Sequence, residues 1–180
     1  SVVVAFPWVD TASAPGRFVA AAPYLHALGI RSRRFQPSES QLVIVNNLGL
    51  YSGQAVKPAT SQNVLTQIDT GNKPASFTLE FSEAFSSVSF TRPALFPATE
   101  SGITHPAWSA HALDKAGNEL SLQSEALMRS FSDVPARTYT LSAPNGRRIS
   151  AVRFDSDPRL NDRPFAAFST VLIESLTMVR

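Results

Sequence analysis

An all-β fold, an antiparallel β-sandwich, is what this sequence predicts, and three observations point to it. Several short segments alternate apolar and polar residues at the period of two that marks a half-buried strand. Pro, Gly and Asn divide those segments from one another. A helical pattern is confined to one stretch, residues 20–29. Strands with no helices between them pair antiparallel, because parallel neighbours need a long crossover connection.

The elements follow in chain order. "SVVVAF" (1–6) and "QLVIVNN" (41–47) are apolar runs of strand length, and "VLTQID" (64–69) is a shorter one. Between the first two, "AAAPYLHALG" (20–29) has Pro23 near its start and Gly29 as its stop, the punctuation of a one- or two-turn helix. In "SFTLEFS" (76–82) Phe77, Leu79 and Phe81 alternate with Thr78, Glu80 and Ser82. The link "EAFS" leads to "SVSFT" (87–91), with Val88 and Phe90 spaced by two, and the two strands are expected to form a tight antiparallel pair.

"WSAHALDKAGNELSLQ" (108–123) reads as a hairpin. Trp108, Ala110 and Ala112 face inward, the turn runs through Asp114, Gly117 and Asn118, and Leu120 and Leu122 lie on the return strand. "RTYTLS" (137–142), a turn at Asn145-Gly146, "ISAVRF" (149–154) and "VLIESLTMV" (171–179) complete the set. The stretches 7–23, 48–63, 92–107 and 155–167 are expected as loops, and in a sandwich loops gather at the two ends, where binding sits.

Composition narrows the function classes. The 180 residues (1–180) fit a single β-sandwich domain with a real core, and an apolar share of 43% against 17% charged residues is globular rather than disordered. A formal charge of +2 does not supply the field that nucleic acid requires, although the pI is 9.3. No run reaches the ~18 apolar residues of a membrane-spanning helix, so neither nucleic acid nor a membrane span is expected. Cysteine is absent, which removes disulfides, thiolate metal sites and cysteine nucleophiles. A chain beginning at Ser1 fits removal of a signal peptide and fits a trimmed chain equally well; export is the expectation.

The runs "ASFTLEFSEAFSSVSFT", "WSAHALDKAGNEL", "YTLSAPNGRRISAVRF" and "VLIESLTM", in that order, resemble the galactose-binding-like jelly-roll domains of secreted bacterial proteins and carbohydrate-binding modules. The resemblance covers residues 75–180 and marks strands rather than a ligand. It implies a jelly-roll sandwich at the cell surface, in the periplasm or outside the cell, binding glycans through its loops. It also implies a possible structural calcium ion near the first loop and the last strand. At those places stand Asp10 and Glu174, the latter where aspartate is more usual in the family.

The most polar stretch is "DSDPRLND" (155–162). Calcium takes six to eight oxygen ligands, and alternating aspartates suit it. The helix-loop-helix calcium motif fails here, however, because Arg159, Leu160 and Ala166 occupy the fifth, sixth and twelfth positions counted from Asp155. Arg153, Arg159 and Arg163 also balance Asp155, Asp157 and Asp162, so the segment is neutral without a metal. It reads first as a self-neutralised loop in which Asp155 bonds nearby amides, and second as a loop whose Arg159 or Asp162 contacts a ligand.

Flat aromatic faces suit sugar stacking. Trp8 and Tyr51 lie in irregular segments and are the candidates for it, with Asn47 and its neighbour Asn46 as amide contacts. Tyr24 is a weaker candidate, and Trp108 belongs to the core by its alternation. His26, His105 and His111 are too dispersed for a local metal pair, and His111 is expected on the wet face. The basic clusters "RSRR" (31–34) and Arg147-Arg148 can hold oxyanions if they meet in space. No motif for a nucleophile elbow, phosphate loop or dinucleotide site occurs, and Glu80 with Glu83 is the one close glutamate pair for glycoside cleavage. The expectation is a non-catalytic module that binds a glycan or envelope polysaccharide. The alternatives are a structural or adhesive domain with a protein partner and, behind it, a glycan-cleaving enzyme.

Overall fold

The computed structural model describes residues 2–5, 18–46, 54–57, 63–97, 102–159 and 169–180. Two antiparallel sheets face each other. One has five strands in the order β12 (Glu119–Glu125), β11 (Ala107–Leu113), β15 (Ile149–Asp157), β7 (Ala75–Phe85) and β3 (Ile30–Gln36). The other runs β1 (Val2–Ala5), β16 (Ser175–Val179), β8 (Ser87–Arg92) and β14 (Arg137–Ser142). A three-stranded sheet, β2 (Phe18–Ala20), β4 (Gln41–Asn46) and β6 (Asn63–Ile68), is tied to the approach to β16 by reciprocal Leu65–Ile173 backbone bonds of 2.7 and 3.0 Å. Two short pairs, β5 (Gln54–Lys57) with β9 (Ala94–Pro97) and β10 (Ile103–His105) with β13 (Met128–Ser130), complete the strands. The fold is thus the antiparallel sandwich that the strand pattern predicts, of the jelly-roll kind that the resemblance implies. Helix α1 (Ala22–Ala27) buries only Leu25.

Period-two alternation builds the core. Phe77 and Leu79, Val152 and Phe154, and Trp108, Ala110 and Ala112 face inward from one sheet. Val88 and Phe90, Tyr139 and Leu141, and Leu176 and Met178 meet them from the other. Phe90 is the centre of an aromatic cluster, with ring centroids 5.1 Å from Phe154, 5.3 Å from Trp108 and 5.7 Å from Tyr139. Edge-to-face and stacked pairs at such distances contribute about 0.5–1.5 kcal/mol each beyond their burial.

Several expectations are corrected. β7 and β8 do not pair with each other: β7 lies between β15 and β3, whereas β8 lies between β14 and β16. The link after Phe85 therefore carries the chain across the sandwich instead of back along one sheet. Asn145-Gly146 does the same between β14 and β15, which also belong to opposite sheets. The basic stretch 31–34 is part of β3, a strand not expected there, and β2, β5, β9 and β10 occupy parts of the expected loops. The hairpin at 108–123 forms as expected, in register from Trp108↔Glu125 to Leu113↔Glu119.

Candidate functional site

The strand alternation that fills the core leaves a polar outer face on the five-stranded sheet. Cross-strand register sets Ser109 beside Asp155 and Asp155 beside Ser76, and Ser76 in turn lies beside Gln36. At this end of the sheet a pocket of about 470 Å³ opens, lined by Gln36, Ser76, Ser109, Asp155 and Asp157, with Trp108 reaching its wall. It offers carboxylates, hydroxyls and an amide against an apolar surface, the mixture that small polar ligands require.

Salt links tie these groups to one another. Asp155 Oδ2 lies 3.1 Å from His111 Nε2 and receives Arg153 Nε at 3.3 Å, and His111 Nδ1 contacts Glu119. Arg159 donates to Asp157 three times: from its backbone amide at 3.0 Å, from Nε at 3.0 Å and from a terminal nitrogen at 2.8 Å. Those guanidinium and amide bonds hold the Asp157 carboxyl below its ordinary range. The pairing of aspartates with arginines expected for 155–162 therefore exists where the segment is described. Its geometry differs, because Asp155 is inside β15 and it is Asp157 that bonds the following amide in a turn.

Trp108 is 3% exposed, so little of it is open to the pocket. Its Nε1 donates to Glu125 Oε1 at 2.8 Å. Glu125 is the centre of a buried network: Arg92 Nε reaches its two oxygens at 2.8 and 3.0 Å, and the Tyr139 hydroxyl donates to Oε2 at 2.5 Å. Burial would raise this carboxyl, but the Tyr139, Trp108 and Arg92 donors outweigh burial and hold it low. Tyr139 is pushed up to about 12, by burial first and then by its bond to the Glu125 carboxylate. The remaining Arg92 nitrogens donate to the carbonyls of Pro93 at 2.8 Å and Pro135 at 3.2 Å. Sequence reading missed this network, since Arg92 and Glu125 lie 33 residues apart and each looks like an ordinary surface charge.

Of the residues singled out from the sequence, Trp8, Asp10, Asn47, Tyr51 and Asp162 lie outside the described residues. Arg159 is present at the site's rim, engaged with Asp157. Glu174 is 1% exposed just before β16, its amide bonded to the Thr91 carbonyl at 3.0 Å. Among the described residues no three His, Asp or Glu side chains cluster as a metal site. Asp10, the other residue of the expected calcium pair, lies outside the described residues. Tyr24 packs its ring against the core, and His111 lies on the outer face as expected. Glu80 and Glu83 share no cleft: Glu80 faces Arg33 and Arg34, whereas Glu83 binds Arg180 at 2.6 Å.

No family model and no curated protein matches the chain. Solved structures similar to it include an apo cyclase from Fischerella sp., 12% identical with a TM-score of 0.49 over 93% of this chain and 90% of that one. The arabinose-bound MgGH51 α-L-arabinofuranosidase is 18% identical with a TM-score of 0.47. This chain is covered to 97% in that comparison but spans only 24% of the arabinofuranosidase. CBM32-3 from a family 31 glycoside hydrolase of Clostridium perfringens is 10% identical with a TM-score of 0.40, over 75% of this chain and 81% of that one.

Proposed function

We propose that the chain is a non-catalytic glycan-binding module of an exported bacterial protein, holding a saccharide in the pocket at the Asp155–Asp157 end of the five-stranded sheet. The observation that carries this reading is the pocket's lining. Asp155, Asp157, Ser76, Ser109 and Gln36 converge on one opening beside the nearly buried Trp108. Carboxylates and a side-chain carbonyl accept hydrogen bonds from sugar hydroxyls, the serine hydroxyls donate or accept, and the apolar wall takes a C–H face of the ring.

The salt links support binding over catalysis. Glycosidic cleavage asks for one carboxyl that stays protonated to act as an acid. Asp157 is held ionised by Arg159, and Asp155 faces Arg153 and His111. A pair of anchored acceptors is what a saccharide site uses, and it pre-orders the side chains before the ligand arrives.

The test uses Trp108 as reporter. Calorimetry on the native chain measures binding, and a Trp8→Phe variant, in which Trp108 is the one indole of the chain, isolates the emission of Trp108. Titration with neutral mono- and oligosaccharides should change its emission saturably, and Asp155→Ala should weaken that response at least tenfold. A saccharide panel that leaves the emission and the heat of mixing flat overturns the reading.

A further inference from the structure

Residues 30–36 read Ile-Arg-Ser-Arg-Arg-Phe-Gln, and strict strand alternation would send Arg33 and Arg34 to opposite faces of β3. It would also turn Phe35 outward once Ile30 is buried. The structure avoids both outcomes with one extra residue. The β3–β7 register jumps from Arg33↔Thr78 to Gln36↔Ser76, three steps on β3 against two on β7, a β-bulge. Arg34 sits in it at φ 58°, a left-handed conformation uncommon for a side chain that is neither Gly nor Asn. Phe35 then packs on the core, its ring 6.4 Å from Phe77, and both arginines turn to Glu80, at 3.3 and 3.9 Å.

The two guanidiniums form one wall of a groove of about 660 Å³ on the outer face of the sheet. Arg153 and Lys115 line it too, so four basic groups meet two acidic ones, Glu80 and Asp114. Asp114 is already committed: its carboxyl accepts the amides of Ala116 and Asn118 at 3.0 and 2.8 Å and binds Arg147. Of the two basic clusters of the sequence, the first lines the groove, and Arg147 of the second touches it only through Asp114. Arg153 also connects this groove to the pocket through Asp155. From Ala151 to Asp157 along β15 the strip is about 20 Å long.

We propose that this groove binds the oxyanion groups of an acidic polysaccharide, carboxylate or sulfate, with Arg33 and Arg34 as the paired forks and Arg153 and Lys115 completing the site. Guanidinium forks match planar carboxylate and tetrahedral sulfate oxygens, and two of them on one carboxylate leave donors directed to an incoming anion. The strained Arg34 backbone has a reason in this assignment, since the bulge alone lets consecutive arginines face one ligand. The choice of a polysaccharide rests on the glycan reading of the neighbouring pocket. The anion site itself does not.

The test compares the native chain with Arg33→Gln/Arg34→Gly. Glycine accepts the left-handed backbone, so the bulge survives while both guanidiniums go; an unchanged melting temperature and circular dichroism spectrum verify folding. Binding is measured by calorimetry at low and high salt with polygalacturonate, dextran sulfate and uncharged dextran, and with anionic phospholipid vesicles and single-stranded DNA. The expected result is that polygalacturonate, dextran sulfate or both bind, and that the double variant loses at least tenfold in affinity. The two polymers tell carboxylate from sulfate. Undiminished binding by the double variant, equal binding to vesicles or DNA, or no response to either charged polymer overturns the proposal. Asp155→Ala separates the two readings: it removes neutral-sugar binding at the pocket, whereas polyanion binding that persists in it stands on the groove alone.

Discussion

Removing the Glu125 carboxylate should cost more stability than any other single change in the polar network under the pocket. Arg92 is 2% exposed and Glu125 8%, so neither charge can turn to water when its partner is lost. In Glu125→Leu the Arg92 guanidinium keeps the Pro93 and Pro135 carbonyls but has no counter-charge, and the Trp108 and Tyr139 donors lose their acceptor. Breaking a buried pair from one side costs about 3–5 kcal/mol. In a domain of this size that is a fall of roughly 10–15 °C in melting temperature. Glu125→Gln keeps one oxygen to accept, and the Tyr139 hydroxyl can reverse its role, so about 2 kcal/mol is expected there.

The decisive arm is the double variant Arg92→Met/Glu125→Leu, measured by urea unfolding. Replacing both partners by apolar groups of similar shape is often close to neutral. The double variant should therefore be more stable than Glu125→Leu, with a coupling of about 2 kcal/mol or more. Additive losses, or a Glu125→Leu cost under about 1 kcal/mol, would refute the account of Glu125 as the counter-charge that makes Arg92 tolerable in the core.

Other outcomes follow from single positions. Burial lowers His105 from 6.5 to about 4, and its Nε2 accepts the Leu172 amide at 3.4 Å. The folded state thus binds fewer protons than the unfolded chain between those values, so stability is full above about pH 6.5, falls as pH drops towards 4, and loses about 3 kcal/mol in total. Urea midpoints across that window check it, and His105→Gln should flatten the slope. Gly102 has φ +78° and a Cβ there would stand 2.5 Å from the Ser130 carbonyl oxygen, whereas Gly117 has φ +88° with open space around it. Gly102→Ala should therefore cost about 2 kcal/mol or more and Gly117→Ala about 1 kcal/mol, read from the same unfolding curves.

How far the sequence could be read depended on the range of the signal. Alternation is local, and it places Phe77, Leu79 and Trp108 in the core and His111 outside. The hairpin at Asp114–Asn118 was legible for the same reason, since its turn residues carry their own hydrogen bonds. Whether a chain returns within a sheet or crosses to the facing one is not local, so β7 and β8 were expected to pair. β3 is hidden by its bulge: one added residue at Arg34 breaks the period of two, so the stretch shows only as a basic cluster. The site was half legible. Asp155 and Asp157 stood out as polar, but Gln36 and Ser76 join them only through strand order, and Glu125 meets Arg92 only through the closure of the sandwich.

The central claim is that the pocket beside Asp155, Asp157 and Trp108 holds a saccharide. Its most direct measurement is calorimetric titration of the native chain with a neutral oligosaccharide panel, repeated with Asp155→Ala and, to read the emission of Trp108 alone, in the Trp8→Phe background. Saturable binding that shifts Trp108 emission and weakens at least tenfold in the Asp155→Ala chain is the predicted result. No binding by any saccharide, or binding that the loss of Asp155 leaves unchanged, would contradict it.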